Sequence, residues 1–252
     1  MEIRNCFWEL DNIGKTTVEV NVSNEDSFSL DTFKALDQKY QYQVVKVPAG
    51  KMDFNFGLTQ LGFSMIEAQL EISLMKKNFN YNDPLLLNIY DKIDFKDVTT
   101  EDEFQKVLER VTPGMFSTDR IALDPVFGEK IGCQRYTNWM KTEFYKQSSN
   151  FYVLYYDGKE IGFSMYREHN GIWDGLLGGM YPDAPEGVGL LTACGHFVYS
   201  EKMNKPLRMV LTNISANNGP VLSVFNHTGW KLKKVKYVFV KHNVINNEQY
   251  SI

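Results

Sequence analysis

Hydrophobic and polar positions change period repeatedly along this chain, and each change marks an element. Val18, Val20 and Val22 alternate with polar residues, which predicts a half-buried strand. Ser29 or Asp31 can cap a helix carrying Phe33 and Leu36. Tyr42 to Val47 reads as a strand closed by Pro48-Ala-Gly50, and a helix over about 51–61 stops at Gly62. Ile66, Ala68, Leu70, Ile72 and Leu74 then alternate with Glu67, Gln69, Glu71 and Ser73, the pattern of a strand with one apolar face. Strands separated by helices predict a small βαβαβ unit with a mostly parallel sheet.

Residues 76–92 are polar and irregular, and the expected domain boundary falls there: an N-terminal α/β half-domain over 1–80 and a second domain over 90–252. The second begins with a strand near 91–97. Thr100 and Glu103 form a capping box ahead of a helix bearing Phe104, Val107, Leu108 and Val111. A longer helix is predicted over about 125–147. Phe151–Tyr156 and Lys159–Arg167 flank Asp157-Gly158, a two-residue hairpin signal, and Asn170-Gly171 turns the chain into a strand near 172–181. A turn at Pro185–Gly189 leads into a helix to about 203. A strand at 207–213, a helix at 217–228 closed by Gly229, and a strand from Trp230 to Lys241 complete the chain. The helical crossover makes the strands at 172–181 and 207–213 parallel neighbours. The fold class is therefore mixed α/β, with a partly antiparallel sheet flanked by helices.

Composition narrows the picture. The 252 residues are 43% hydrophobic and 23% charged, as in an ordinary globular protein. A net charge of −4 gives no case for nucleic acid. No apolar run reaches the roughly 18 residues of a membrane span. Cys6, Cys133 and Cys194 are odd in number and far apart, and with four scattered histidines they make no metal-ligand spacing. No signal peptide is evident in Met1–Trp8, so the expectation is a cytoplasmic protein, monomer or homodimer, without metal.

The stretch Pro185-Glu-Gly-Val-Gly-Leu-Leu-Thr192 carries the chemistry. A Gly-x-Gly turn opening a helix leaves backbone N–H groups free to hold a phosphate. The element order, with Gly187-Val-Gly189 after the long meander strand, resembles the GNAT family of N-acetyltransferases. That family's phosphate motif is Gln/Arg-x-x-Gly-x-Gly/Ala; here both glycines are kept, and Ala184 stands at the first position. Its second motif, Asn-x-x-Ala-x-x-x-Tyr-x-x-x-Gly-Phe, is matched in spacing by Asn218, Val221, Phe225, Gly229 and Trp230. The resemblance covers about residues 91–241. Gln43–Pro48, Leu61-Gly-Phe63 and Asp124-Pro125 further resemble the TDP-fucosamine acetyltransferase type, which carries an N-terminal half-domain. Leu61-Gly-Phe-Ser-Met also echoes Thr228-Gly-Trp-Lys-Leu232. A shared glycine C-cap and a degenerate half-repeat both account for that echo.

The resemblance implies acetyl-CoA as cosubstrate and a small-molecule primary amine as acceptor, an amino-sugar nucleotide in that subfamily. Other GNAT acceptors are an amino acid, a polyamine or a peptide N-terminus. Pyrophosphate would meet Gly187, Val188, Gly189, Leu190 and Leu191. Pantetheine would follow the backbone of Gly179, Met180 and Tyr181, with Asn218 and Phe225 beside it. The family's acid is the motif tyrosine, and Phe225 cannot donate a proton. His227, Tyr181, Ser223 or water could replace it, or the protein binds CoA without turnover. Asp174 and Glu168 are candidate bases. His196, one residue from an inward Phe197, reads as core or surface, and the lysines from Lys231 to Lys241 as a solvated strand face.

Overall fold

The computed structural model describes residues 1–244. A short edge strand, β1 (Glu2–Asn5), and a one-turn helix, α1 (Glu9–Ile13), precede the first predicted element. The valine alternation forms β2 (Thr17–Asn21). Helix α2 (Leu30–Asp37) starts at Ser29, whose side chain accepts from Thr32 N, and crosses to β3 (Tyr42–Pro48), parallel to β2. Then come α3 (Met52–Gln60) and β4 (Ser64–Met75).

The polar stretch expected to be irregular contains a helix, α4 (Pro84–Tyr90). Asp83 caps it by accepting from Leu85 and Leu86 N, and Leu86 and Ile89 enter the core. The chain continues through β5 (Ile93–Asp97), α5 (Glu101–Arg110) with its capping box, α6 (Arg120–Leu123) and α7 (Gly128–Tyr145). The meander is β6 (Asn150–Tyr156), β7 (Lys159–His169) and β8 (Ile172–Met180). Helix α8 (Leu191–Lys202), β9 (Met209–Ser215), α9 (Gly219–His227) and β10 (Lys231–His242) follow.

Among the described residues ten strands form one sheet in the order β1-β2-β3-β10-β4-β9-β8-β7-β6-β5. Alternation divides its two faces in the meander. Tyr152 and Leu154 join the core under α8, whereas Phe151 and Val153 join the core that includes α5 and α7 residues. Among the described residues no helix is long and apolar enough to cross a membrane.

The N-terminal unit departs from the mostly parallel sheet expected of it. Only β2 and β3 are parallel. β4 does not lie beside β3, because β10 is inserted between them, antiparallel to both. In return β4 lies between β10 and β9, antiparallel to each. The lysine-rich last strand is therefore interior to the sheet.

This exchange follows an internal two-fold. Adding 167 to the residue numbers of β3, α3 and β4 gives the bounds of β9, α9 and β10 at both ends of each element. Register obeys the same rule: Pro48 pairs with Lys236 as Ser215 pairs with Gln69, and Tyr42 with His242 as Met209 with Met75. Gln69 and Lys236, related by the same shift, face each other across the β4–β10 pair, on the axis. The echo of Leu61-Gly62-Phe63 in Thr228-Gly229-Trp230 is thus a structural half-repeat. Gly62 and Gly229 both take left-handed φ, +82 and +79, so a shared C-cap is part of what repeats. Each half closes its sheet with a strand from the other half.

A buried ion cluster adds a second tie between distant parts of the chain. Glu9, 1% exposed, lies 2.7 Å from the Arg135 guanidinium and 3.2 Å from that of Arg120. Burial works to raise the Glu9 pKa, but the two arginines hold it below the ordinary carboxylate value.

Candidate functional site

The parallel pairing of β8 with β9 is short. It runs from Ile172–Met209 to Gly175–Thr212 and stops. A β-bulge decides where. Met165 of β7 faces Leu177 while Tyr166 faces Gly175, leaving Leu176 as the extra residue, and a bulge bends its strand. Past it β8 stays paired with β7 alone, whereas β9 stays paired with β4. The two strands splay, and each turns an unpaired backbone edge toward the gap.

A cavity of about 590 Å³ fills the splay. Gly175, Gly178, Gly179 and Met180 of β8 line it on one side, Thr212 to Ser215 of β9 on the other. On the α8 face, Leu191, Thr192, His196, Asn218, Val221, Phe225 and Trp230 complete the wall. On the opposite face the wall is Met115–Asp119, Tyr136, Glu67 and Gln69. The cavity therefore passes through the sheet and joins its two faces.

The glycines of β8 are there for close approach. A Cβ on Gly175 would sit 3.1 Å from His196 Nε2, and one on Gly179 would sit 3.3 Å from the Met115 methyl. His196 is held by Tyr152 Oη, 3.0 Å from Nδ1, with Ser164 Oγ 3.5 Å from Nε2. Burial lowers its pKa to about 4, so the imidazole is neutral at neutral pH. The Trp230 indole Nε1, buried against the Phe225 ring, has no hydrogen-bond partner among the described residues and is free for a ligand acceptor.

The Gly187–Leu190 turn adjoins the α8 mouth, since Leu191 and Thr192, next along, line it. Gly187 takes φ +86, which only glycine adopts readily, and opens a 3-10 turn over Val188–Leu190 that runs into α8. Val188 and Leu190 are 1% and 5% exposed and anchor the loop in the core. Gly189 between them faces outward, with nothing within 4 Å of an added Cβ. The N–H groups of this turn precede the helical ladder and sit at the positive end of the α8 dipole. Residues 187–190 do not line the cavity; Leu191 and Thr192, next along, do.

Of the expected site residues, Gly179, Met180, Leu191, Asn218 and Phe225 come together in the wall. Others do not. Tyr181 lies outside the lining: its hydroxyl donates to Glu160 Oε1 at 3.0 Å and its ring lies under Arg110 at 4.1 Å. His227 Nε2 is 2.9 Å from Asp83, and Ser223 is exposed. Asp174 alternates with Gly175 and so faces away from His196. Burial raises its pKa against the pull of Arg167, its cross-strand partner, and it does not line the cavity. Glu168 accepts from Gly171 N at 2.8 Å inside its own turn.

The cavity instead recruits residues that sequence patterning passed over. Glu67 was expected on the polar face of a half-exposed strand, yet it is 3% exposed. That face of β4 is covered by α6. Gln69 Nε2 donates to Glu67 Oε1 at 3.1 Å. Burial raises the Glu67 pKa, Asp119 adds to the rise, and Ser215, Arg120 and Gln69 oppose it. Asp119 caps α6 and accepts from Tyr136 Oη at 2.9 Å. No lysine or arginine lines the cavity among the described residues. Nothing local in sequence separates Glu67 from Glu71; the cover over β4 arrives from more than fifty positions away.

The N-terminal half lacks an equivalent cavity. Its counterpart of Val221, at the 167-residue shift, is Phe54. Phe28, two positions before α2 as Gly189 is before α8, stacks on Phe33 at 5.5 Å and meets Phe54 edge-on at 5.7 Å. A Cβ on Gly57 would lie 2.5 Å from the Phe28 ring, so the space between α2 and α3 is full. One half is hollow and the other is solid.

No family profile matches the sequence, and no curated protein matches it. Solved structures do resemble it. A tandem GNAT protein from the clavulanic acid biosynthesis pathway superposes with a TM-score of 0.56 at 11% identity, covering 93% of this chain and 77% of its own. A GCN5-related N-acetyltransferase from Sphaerobacter thermophilus gives 0.54 at 11%, with 81% and 62% covered. A conserved protein of unknown function from Staphylococcus epidermidis gives 0.54 at 14%, with 85% and 78% covered. At such identities the likeness shows the fold: a mixed sheet flanked by helices, of GNAT type.

Proposed function

We propose that this protein transfers an acetyl group from acetyl-CoA to a primary amine. The observation that carries this reading is the cavity through the sheet where β8 and β9 part. Two molecules entering from opposite faces meet there, which is what direct transfer between a thioester and an amine needs. The α8 face suits the CoA end. The loop N–H groups and the helix dipole favour a pyrophosphate, and the free β8 edge at Gly178–Met180 can pair with an extended amide arm. The opposite face, with Glu67, Asp119 and Tyr136, is left for the acceptor. The resemblance read from sequence favours an amino-sugar nucleotide.

Proton supply to the departing sulfur is the unusual feature. Phe225 lines the cavity where the family carries tyrosine, and His227, Tyr181 and Ser223 lie outside the wall. His196 is neutral and holds no extra proton to give. Of the candidates named from sequence, water remains as the donor, tolerable for a thiol with a pKa of about 8.5. Phe225→Tyr is expected to raise kcat by roughly 100-fold with little change in KM, the low end of the range of general-acid contributions. Equal or lower turnover in steady-state assays would count against a missing acid. A second reading, acetyl-CoA binding without catalysis, draws support from the same Phe225. Thiol release from acetyl-CoA, assayed over a panel of amines, separates the two: tight acetyl-CoA binding with no release in any mixture sinks the enzyme reading.

A further inference from the structure

We propose that Glu67, carried into the cavity on the strand that the N-terminal half exchanges, holds the ammonium of the acceptor and takes its proton, and that the acceptor is a diamine or longer polyamine free of phosphate. This rests on the acetyl-transfer reading above. It names the acceptor-side group, and it replaces the amino-sugar nucleotide that the resemblance favours with a phosphate-free polyamine.

Gln69 of β4 pairs with Ser215 of β9, the last residue of the strand whose Thr212–Ser215 edge borders the splay, and Glu67 lies two residues along on the same face as Gln69. Its carboxyl is therefore at the acceptor mouth, within the wall that reaches Gly175–Gly179. The groups facing it are Gln69 on its own strand, Val238 and Lys236 on β10, Ser215 on β9, Asp119 and Arg120 on α6 or at its cap, and Tyr136 on α7; Lys236 stands opposite Gln69 and does not line the cavity. Arg120 is engaged with Glu9 at 3.2 Å and does not line the cavity. Gln69 occupies one Glu67 oxygen and leaves further acceptor capacity on the carboxylate.

Charge then selects the acceptor. The wall carries two carboxylates, Glu67 and Asp119, and no lysine or arginine among the described residues. A buried anion without a cationic partner in its cavity is costly and attracts a cation from solution. A diphosphate entering the same mouth would meet both carboxylates with nothing to neutralise it. Backbone N–H groups at the α8 face can serve the phosphates of CoA, but that loop lies on the other face. A diamine fits both carboxylates. Its reacting ammonium faces Glu67, and the second stays charged near Asp119, which Tyr136 orients.

The proton balance closes. Glu67 as carboxylate takes one proton from the ammonium and becomes the neutral acid. The free amine nitrogen forms the new C–N bond to the acetyl carbon while the C–S bond breaks. The nitrogen's surplus proton passes through water to the departing sulfur, and CoA leaves as thiol. Glu67 then returns its proton to solvent. Burial suits Glu67 to this cycle, since a carboxyl raised toward neutrality is a better base than an exposed one.

The test uses the full chain with acetyl-CoA and three acceptors: cadaverine, spermidine and a TDP-linked amino sugar. Both polyamines are expected to be acetylated with kcat/KM at least ~100-fold above the amino sugar. Glu67→Gln is expected to lower kcat/KM for cadaverine by ~100-fold or more, with the acetyl-CoA Kd within about twofold of the parent by calorimetry. The acid limb of the kcat/KM–pH profile should flatten in Glu67→Gln, and Glu67→Asp should recover part of the rate. Preference for the TDP-linked amino sugar overturns the acceptor class. A Glu67→Gln enzyme with parental kcat/KM and an unchanged acid limb overturns the role of Glu67. Absence of acetyl-CoA binding to the parent protein overturns the acetyl-transfer reading itself, a result distinct from the other two.

Discussion

Gly189→Glu is expected to weaken acetyl-CoA binding by at least ~30-fold while leaving the protein as stable as before, or slightly more so. The two halves of that expectation have separate causes. Gly189 is free of left-handed φ, and an added Cβ meets nothing within 4 Å, so the substitution fits the fold. A carboxylate just ahead of α8 interacts favourably with the helix dipole, worth about 0.3–1 kcal/mol. Folding therefore gains a little or nothing. Binding loses, because the new charge stands where the pyrophosphate should. Like charges about 4 Å apart repel by about 4 kcal/mol at an effective dielectric near 20. Even ~2 kcal/mol is about a 30-fold loss. Calorimetry with acetyl-CoA and a melting curve on the same sample read both. Undiminished affinity would refute the placement of phosphate at this loop. Gly187→Glu would be a poorer probe, since φ +86 strains any side chain there.

Phe54→Ala should destabilise the whole chain by about 3–5 kcal/mol, the usual range for a buried phenylalanine truncated to alanine. Phe54 is fully buried between Phe28, Phe33 and Lys51. The ring fills, in the N-terminal half, the space that the other half keeps open. For a chain of this size the melting temperature should fall by roughly 10 °C. The more telling expectation is cooperativity. β10 is hydrogen-bonded to both β3 and β4, and β4 to β9, so neither half closes its sheet alone. Loss of acetyl-CoA binding on heating should follow the same midpoint as loss of secondary structure. Two separated transitions, with binding retained after the first, would show the halves to be independent.

Elements whose cause is local were legible in the chain. Asp157-Gly158 and Asn170-Gly171 make tight turns in the structure, with φ of 51 and 74, and 51 and 76, because only such pairs adopt two successive left-handed residues cheaply. Thr100 and Glu103 form the capping box that their spacing promises. Gly187 is the turn glycine its context implies. The cavity wall was half legible: Gly179, Met180, Leu191, Asn218 and Phe225 could be placed because their strand and helix could be placed. Tyr181 could not. A bulge at Leu176 and the exit of β8 carry it to Glu160 and Arg110, and one extra residue in a strand leaves no mark in a hydrophobicity pattern.

By itself the sequence determined the order of the longer elements but not β1, α1, α4 or α6, and it determined the parallel β8–β9 pair, the loop that opens α8 and the absence of a tyrosine at position 225. These depend on contacts within one or two neighbouring elements, so their signals sit close together in the chain. Only the tertiary structure decided which strands pair across the two-fold, that Glu67 is buried instead of solvated, and that one half is hollow while the other is filled by Phe28. In each case the reason is packing between elements whose partners a local pattern does not name, α6 over Glu67 and Phe28 over Phe54 among them. β4 and β10 are each compatible with several neighbours, and the choice is made by register and packing against residues more than a hundred positions away.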